Sequence, residues 1–141
     1  MNDAEYEAQK ERINKLASKW LPIMGLADWT MVEAWHRDSG EFTVDGSPSH
    51  DVTAATKVDW RYMWAEISWN LPRVAEQDDE SLELIYVHEL MHIMVDETRD
   101  LTGDHKLRDG REDWLAHEER VCTFLAKAFL RTSVPVEVTM S

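Results

Sequence analysis

Cysteine is nearly missing from this chain. Cys122 stands alone among 141 residues, so no disulfide can form within the chain, and a reducing compartment suits it. Basic charge is scarce as well: 15 Lys and Arg face 28 Asp and Glu, a formal net charge of −13. No Lys/Arg cluster breaks that balance locally, and a surface of this kind repels phosphate, which argues against nucleic acid as a partner. The acidity is read first as a means of staying soluble, and only second as selection for a basic substrate. Long apolar runs are missing too. The start, Met1-Asn2-Asp3-Ala4-Glu5, is acidic, and the only strongly apolar segment is broken by His88, Glu89 and His92. Neither a signal peptide nor a membrane span is therefore expected, and the cytoplasm is the expected location. The chain also lacks a Gly-rich phosphate loop, a Cys-x-x-Cys pair, internal repeats, low-complexity tracts and an obvious nucleophilic triad.

What is present suits one α+β domain, since 141 residues with 43% hydrophobic content support one core and not comfortably two. Tyr6, Ile13, Leu16, Ala17 and Trp20 recur at helical spacing and predict a helix over residues 4–20, ended by Pro22 and Gly25. β-Branched and aromatic residues predict a strand over 29–36, followed by a long polar surface loop over 37–52, flanked by His36 and His50 as surface histidines. Alternation through Thr56, Val58 and Trp60, then Met63, Ala65, Ile67 and Trp69, predicts an antiparallel hairpin turning near Arg61-Tyr62 and stopped by Pro72. The run Glu76-Gln77-Asp78-Asp79-Glu80 supplies an N-cap and first-turn carboxylates for the next helix. Past Val95 the sequence turns polar through Gly110, so that helix is expected to end there. Asp109 with Glu112 resembles a capping box for a last helix over 111–130, and residues 132–141 read as a tail to a domain of 1–131.

The stretch Leu84-Ile85-Tyr86-Val87-His88-Glu89-Leu90-Met91-His92-Ile93-Met94-Val95 carries the chemistry. Residues four apart on a helix lie about 40° from one another around the axis, so His88 and His92 converge and can grip one zinc ion. Glu89, about 60° to the side of His92, is too far round to complete the same tetrahedron, yet close enough to act on water there as a general base. Apolar side chains surround the motif in nearly every direction, which predicts a buried central helix. Imidazoles and a carboxylate buried in it need partners, because an unpaired polar group in a core costs several kcal/mol.

A catalytic zinc takes three protein ligands and keeps one open position, so a third ligand is required. His117, Glu118 and Glu119 are the candidates on the last helix. Glu118 sits nearest the centre of that helix's apolar stripe, within about 20°, and is the leading one. Glu119 takes the place if the helix packs about 50° round, and His117 comes third, since its choice would leave Glu118 buried without a partner. Tyr62, Tyr86 and His105 are candidate oxyanion donors.

These residues resemble the zincin metallopeptidases, and within them the small single-domain gluzincins of phage and bacterial type, akin to the SprT-like and ImmA/IrrE-like groups. The resemblance runs through the first helix, Ala27-Asp28-Trp29-Thr30, the hairpin, His88-Glu89-Leu90-Met91-His92 and Glu118-Glu119-Arg120-Val121-Cys122. It implies a zincin-like fold: an N-terminal helix, a small, mainly antiparallel sheet whose strand over 63–70 is the edge beside the metal, a central metal helix and a ligand-bearing last helix. It also implies a Zn2+ cofactor at His88, His92 and Glu118, Glu89 as catalytic base, and a peptide or protein substrate whose peptide bond is hydrolysed. Gluzincins carry the third ligand as Glu-x-x-(Ser/Ala)-Asp; aligned on Glu118, the last two positions are Val121 and Cys122, so the aspartate that partners a ligating histidine is absent. The competing reading is a catalytically silent module in which zinc staples the fold for a binding or phage accessory role. A proton shuttle at Glu89 would serve no purpose there.

Overall fold

The structure, a computed structural model, describes residues 1–103 and 111–133, with side chains at 1–100 and 116–132. Helix α1 spans Asp3–Ile23, opened by Asn2, whose side chain accepts from the Glu5 amide. It outlasts the sequence expectation because Pro22 is accommodated inside it; Gly25 ends it. At φ +71°, Gly25 turns the chain into the left-handed region, where its N–H reaches Pro22 O (3.2 Å) and that of Leu26 reaches Leu21 O (2.9 Å). These two bonds satisfy carbonyls that a helix end otherwise leaves open.

Strands β1 (Thr30–His36), β4 (Ala54–Asp59) and β5 (Trp64–Asn70) form a three-stranded sheet in the order β1-β5-β4. The expected hairpin is there: β4 and β5 are antiparallel, joined by the short turn Trp60–Tyr62 with Met63 at φ +50°. Two expectations are corrected. β1 pairs with β5 in parallel, so the sheet is mixed and not mainly antiparallel, and β5 is its centre. The edge on the hairpin side is β4. Between β1 and β4 the presumed loop holds a small hairpin, β2 (Thr43–Val44) and β3 (Ser47–Pro48), around Asp45 (φ +52°) and Gly46 (φ +80°). An Asp-Gly pair with both φ positive is the signature of a tight hairpin turn. Phe42 roots the segment in the interior, and Asn70 pins it: the fully buried amide donates to His50 O (3.1 Å) and Val52 O (2.9 Å) and accepts from Ser39 Oγ (2.8 Å).

Pro72 does stop β5, and a short helix α2 (Leu71–Ala75) follows. Helix α3 (Asp79–Gly103) starts as expected from the acidic run, with Asp78 accepting from the Ser81 amide at 2.7 Å. It does not end near Val95. The polar residues beyond are ordinary helix formers held by side-chain bonds: Arg99 reaches Asp96 at 2.8 Å, and Asp100 accepts from Trp60 Nε1 at 2.8 Å and pairs with Arg61 at 2.9 Å. Helix α4 spans Arg111–Ser133, three residues past its expected end and two into the supposed tail. Asp109, His105 and residues 134–141 lie outside the described residues.

One core joins these pieces. The inner face of the sheet carries Ala65, Ile67 and Trp69, all fully buried, against Leu82, Tyr86, Val87, Leu90, Met91 and Ile93 of α3 and Ile13 and Trp20 of α1. Each large apolar side chain buried here contributes about 1.5–3 kcal/mol. Trp20 also donates its indole N–H to Glu83 on α3 (2.8 Å), and Arg12 clasps the entry to α3 through Val74 O, Gln77 O and Asp79. α3 is thereby fixed as the central helix. Among the described residues, no helix is long and apolar enough to cross a membrane.

Candidate metal centre

His88 and His92 stand one turn apart on α3, and their Nε2 atoms meet at 3.1 Å. α4 brings a carboxylate to the same point. Glu119 Oε2 is 3.0 Å from His88 Nε2, and its Oε1 is 3.0 Å from His92 Nε2. Here the structure parts from the sequence expectation for Glu118, whose Oε1 lies 3.1 Å from His92 Nδ1, on the far side of that ring. Glu118 is the more covered of the two, its side chain 11% exposed against 59% for Glu119. Burial thus singles out the residue behind the imidazole, while the one at the rim meets both Nε2 atoms. His117 is exposed and pairs with Arg120 on the surface of α4.

The outer nitrogens of both rings have partners that sequence reading did not single out. Thr123 Oγ1 is 3.1 Å from His88 Nδ1, and Cys122 Sγ is 3.6 Å from His92 Nδ1, beside Glu118. Their place four and three residues after Glu119, one turn along α4, is the available signal once Glu119 is the reference.

Whether these donors suit a metal follows from their proton balance. Glu118 is acceptor-only at His92 Nδ1 when ionised, so that nitrogen carries the hydrogen and a neutral ring directs its Nε2 lone pair at Glu119 and at the other ring. Lone pairs facing lone pairs require a cation between them. Without a metal that cation is a proton: burial disfavours the charged ring, but bonds to Cys122, Glu118 and Glu119 outweigh it and push the His92 pKa up to about 12. The bonds to His88 and His92 hold Glu119 well below the usual carboxylate range. The two Nε2 atoms are 3.1 Å apart and each has one carboxylate oxygen of Glu119 at 3.0 Å, separations close to the edge of about 3.3 Å in a tetrahedron of zinc–ligand bonds of about 2.0–2.1 Å. His88, His92 and Glu119 therefore fit a zinc-sized cation.

Glu89 is 7% exposed and accepts a 2.5 Å bond from Thr56 Oγ1 on β4. Burial raises its pKa, with Thr56 and the two imidazoles working the other way. It lies on an open cleft of about 700 Å³ together with His92, Glu118, Glu119 and the β4 residues Ala54 to Val58. Asn70 N donates to Thr53 O, so antiparallel alternation aims Ala55 and Lys57 at β5 and leaves the amides and carbonyls of Ala54, Thr56 and Val58 directed away from it. Among the described residues, the other histidines and tyrosines do not line the cleft. His36 packs edge-on against Phe42, His50 offers backbone oxygen to Asn70 and Arg73, Tyr62 is 78% exposed, and Tyr86 is buried against Trp69. The chain matches no known protein-family model, no curated protein and no solved structure.

Proposed function

We propose that this chain is a zinc-dependent peptidase in which His88, His92 and Glu119 hold the ion, Glu118 and Thr123 orient the two imidazoles from behind, and Glu89 manages the proton. One observation carries the reading: two imidazole Nε2 atoms and a carboxylate converge within 3.1 Å of one another beside a buried glutamate on an open cleft. A bound zinc supplies Lewis acidity, polarising a carbonyl and bringing the pKa of water towards neutrality.

The rest is work for the chain's own groups. Glu89, steadied by Thr56 and kept basic enough by its burial, accepts the proton of the attacking water and delivers it to the leaving amine. An extended peptide suits the outward-directed main chain of Thr56 and Val58, because an edge strand pairs with backbone of any sequence. That edge is β4, in place of the strand over 63–70. The one-residue shift from Glu118 to Glu119 also answers the missing aspartate of the gluzincin pattern: four residues on stands Thr123, whose hydroxyl meets His88 Nδ1. A staple module is supported less, since a structural zinc site is closed, whereas Glu119 is 59% exposed on a cleft. Zinc content, followed by casein hydrolysis with and without chelator, tests the proposal. Stoichiometric zinc with chelator-sensitive cleavage is the expected result. Zinc without cleavage would leave the staple, and no zinc would end both readings.

A further inference from the structure

We propose that Arg99 is a positioning residue of this centre, fixing Glu118 so that His92 keeps its hydrogen on Nδ1 and its lone pair on Nε2. The proposal rests on the metal-binding reading above and not on peptidase activity. His92, Asp96 and Arg99 follow one another at spacings of four and three along α3 and so share the face turned to α4. Arg99 Nη2 donates to Asp96 Oδ1 at 2.8 Å, and its Nε is 3.5 Å from Glu118 Oε2. The other oxygen of Glu118 is 3.1 Å from His92 Nδ1. A guanidinium is thereby placed between two covered carboxylates, Asp96 at 5% exposure and the Glu118 side chain at 11%, and its rigid fork suits that task better than an ammonium.

Glu118 Oε2 is buried with no hydrogen-bond partner among the described residues, and the guanidinium charge 3.5 Å away compensates it. The alternative partner for His92 is close. Cys122 Sγ lies 3.6 Å from the same Nδ1, and a thiol is a weak acceptor that does not hold a ring in one tautomer as a carboxylate does. Arg99 thus decides between two neighbours of one nitrogen, and through that nitrogen governs how well the opposite one can bind a cation.

The test measures zinc affinity, by competition with a chromophoric chelator, for the full chain and for Arg99→Met, Glu118→Gln and the double variant. It also follows the His92 Nδ1–H proton by NMR in the zinc-loaded protein. Each single substitution is expected to weaken zinc about 10- to 100-fold, and the double variant no more than the weaker single, because both break one relay. The Nδ1–H signal of His92 should lose its protection from exchange in Arg99→Met while that of His88 persists. Arg99→Lys, which keeps the charge but cannot span both carboxylates, carries the same comparison if the Met variant fails to fold. Losses that multiply in the double variant, or unchanged affinity and an unchanged His92 proton, would overturn the proposal. A parent chain that takes up no zinc would overturn the metal centre and the relay with it.

Discussion

Two glutamates meet the same inner face of the sheet at opposite edges, Glu33 from β1 and Glu89 from α3 against β4. Locally they are alike. Glu33 accepts from the Trp69 indole and Glu89 from the Thr56 hydroxyl, both at 2.5 Å, and burial pushes both above the usual carboxylate range, Glu33 to about 7. What differs is the company. Glu33 looks onto the stacked rings of Trp69 and Tyr86, whereas Glu89 lies beside two converging imidazoles and opens on a cleft. A raised pKa therefore records burial in both places, and only the arrangement of neighbouring donors turns it into chemistry in one of them.

The comparison breaks most visibly on activity. Glu89→Gln should lower peptide hydrolysis by about 10²- to 10⁴-fold while zinc stays bound, and Glu33→Gln should leave turnover within about twofold. A Glu89→Gln protein that cleaves at the parental rate, or loses its metal, would put the two glutamates back on equal terms. Metal binding sharpens the contrast next. Zinc titration and melting of Glu119→Ala, Glu118→Ala and His117→Ala should show a loss above about 100-fold for the first, about 10- to 100-fold for the second and none for the third. Tight zinc in Glu119→Ala together with loss in Glu118→Ala would restore the original order of candidates.

The smallest effect belongs to Glu33 and is read in stability. Its folded pKa lies above the unfolded value of about 4.5, so the neutral carboxyl favours the fold below that pH, and this contribution is lost as pH rises through about 7. The loss is on the order of 2 kcal/mol, allowing for a side chain that is only partly buried. Glu33→Gln, which stays neutral and still accepts from Trp69, should flatten the parent's decline in melting temperature between about pH 5 and pH 8. Parallel profiles would mean that the carboxyl is ionised in the fold.

The parts of this picture that could be read from sequence are those set by local spacing. His88, Glu89 and His92 share a helix because four residues make about one turn, Asp78 caps it, and the alternation of Thr56 to Trp69 fixes the hairpin. Long-range choices left no such mark. Nothing in β1 announces that it pairs in parallel with β5 rather than beside β4, and the polar end of α3 reads as a connection until Trp60 and Arg61 reach Asp100 from another element. The Asp45-Gly46 turn is an exception, a local hairpin signal set inside a polar stretch that otherwise reads as loop. How Glu118 and Glu119 are placed about the two rings is hidden from sequence for a subtler reason. The apolar stripe of α4 reports which residue is most covered, and it does so correctly, but the face that meets both Nε2 atoms lies at the margin of the stripe, where helix rotation decides.

Asn70 carries a consequence for how this cleft can change. One buried side chain holds the path of the segment that walls the cleft, and it does so mainly through backbone carbonyls at positions 50 and 52. Every amino acid offers the same carbonyl, so the wall's trajectory is independent of the side chains it displays. Residues along it can be exchanged to reshape what the cleft admits, by natural drift or in a combinatorial library, while a single position at the end of β5 preserves the route.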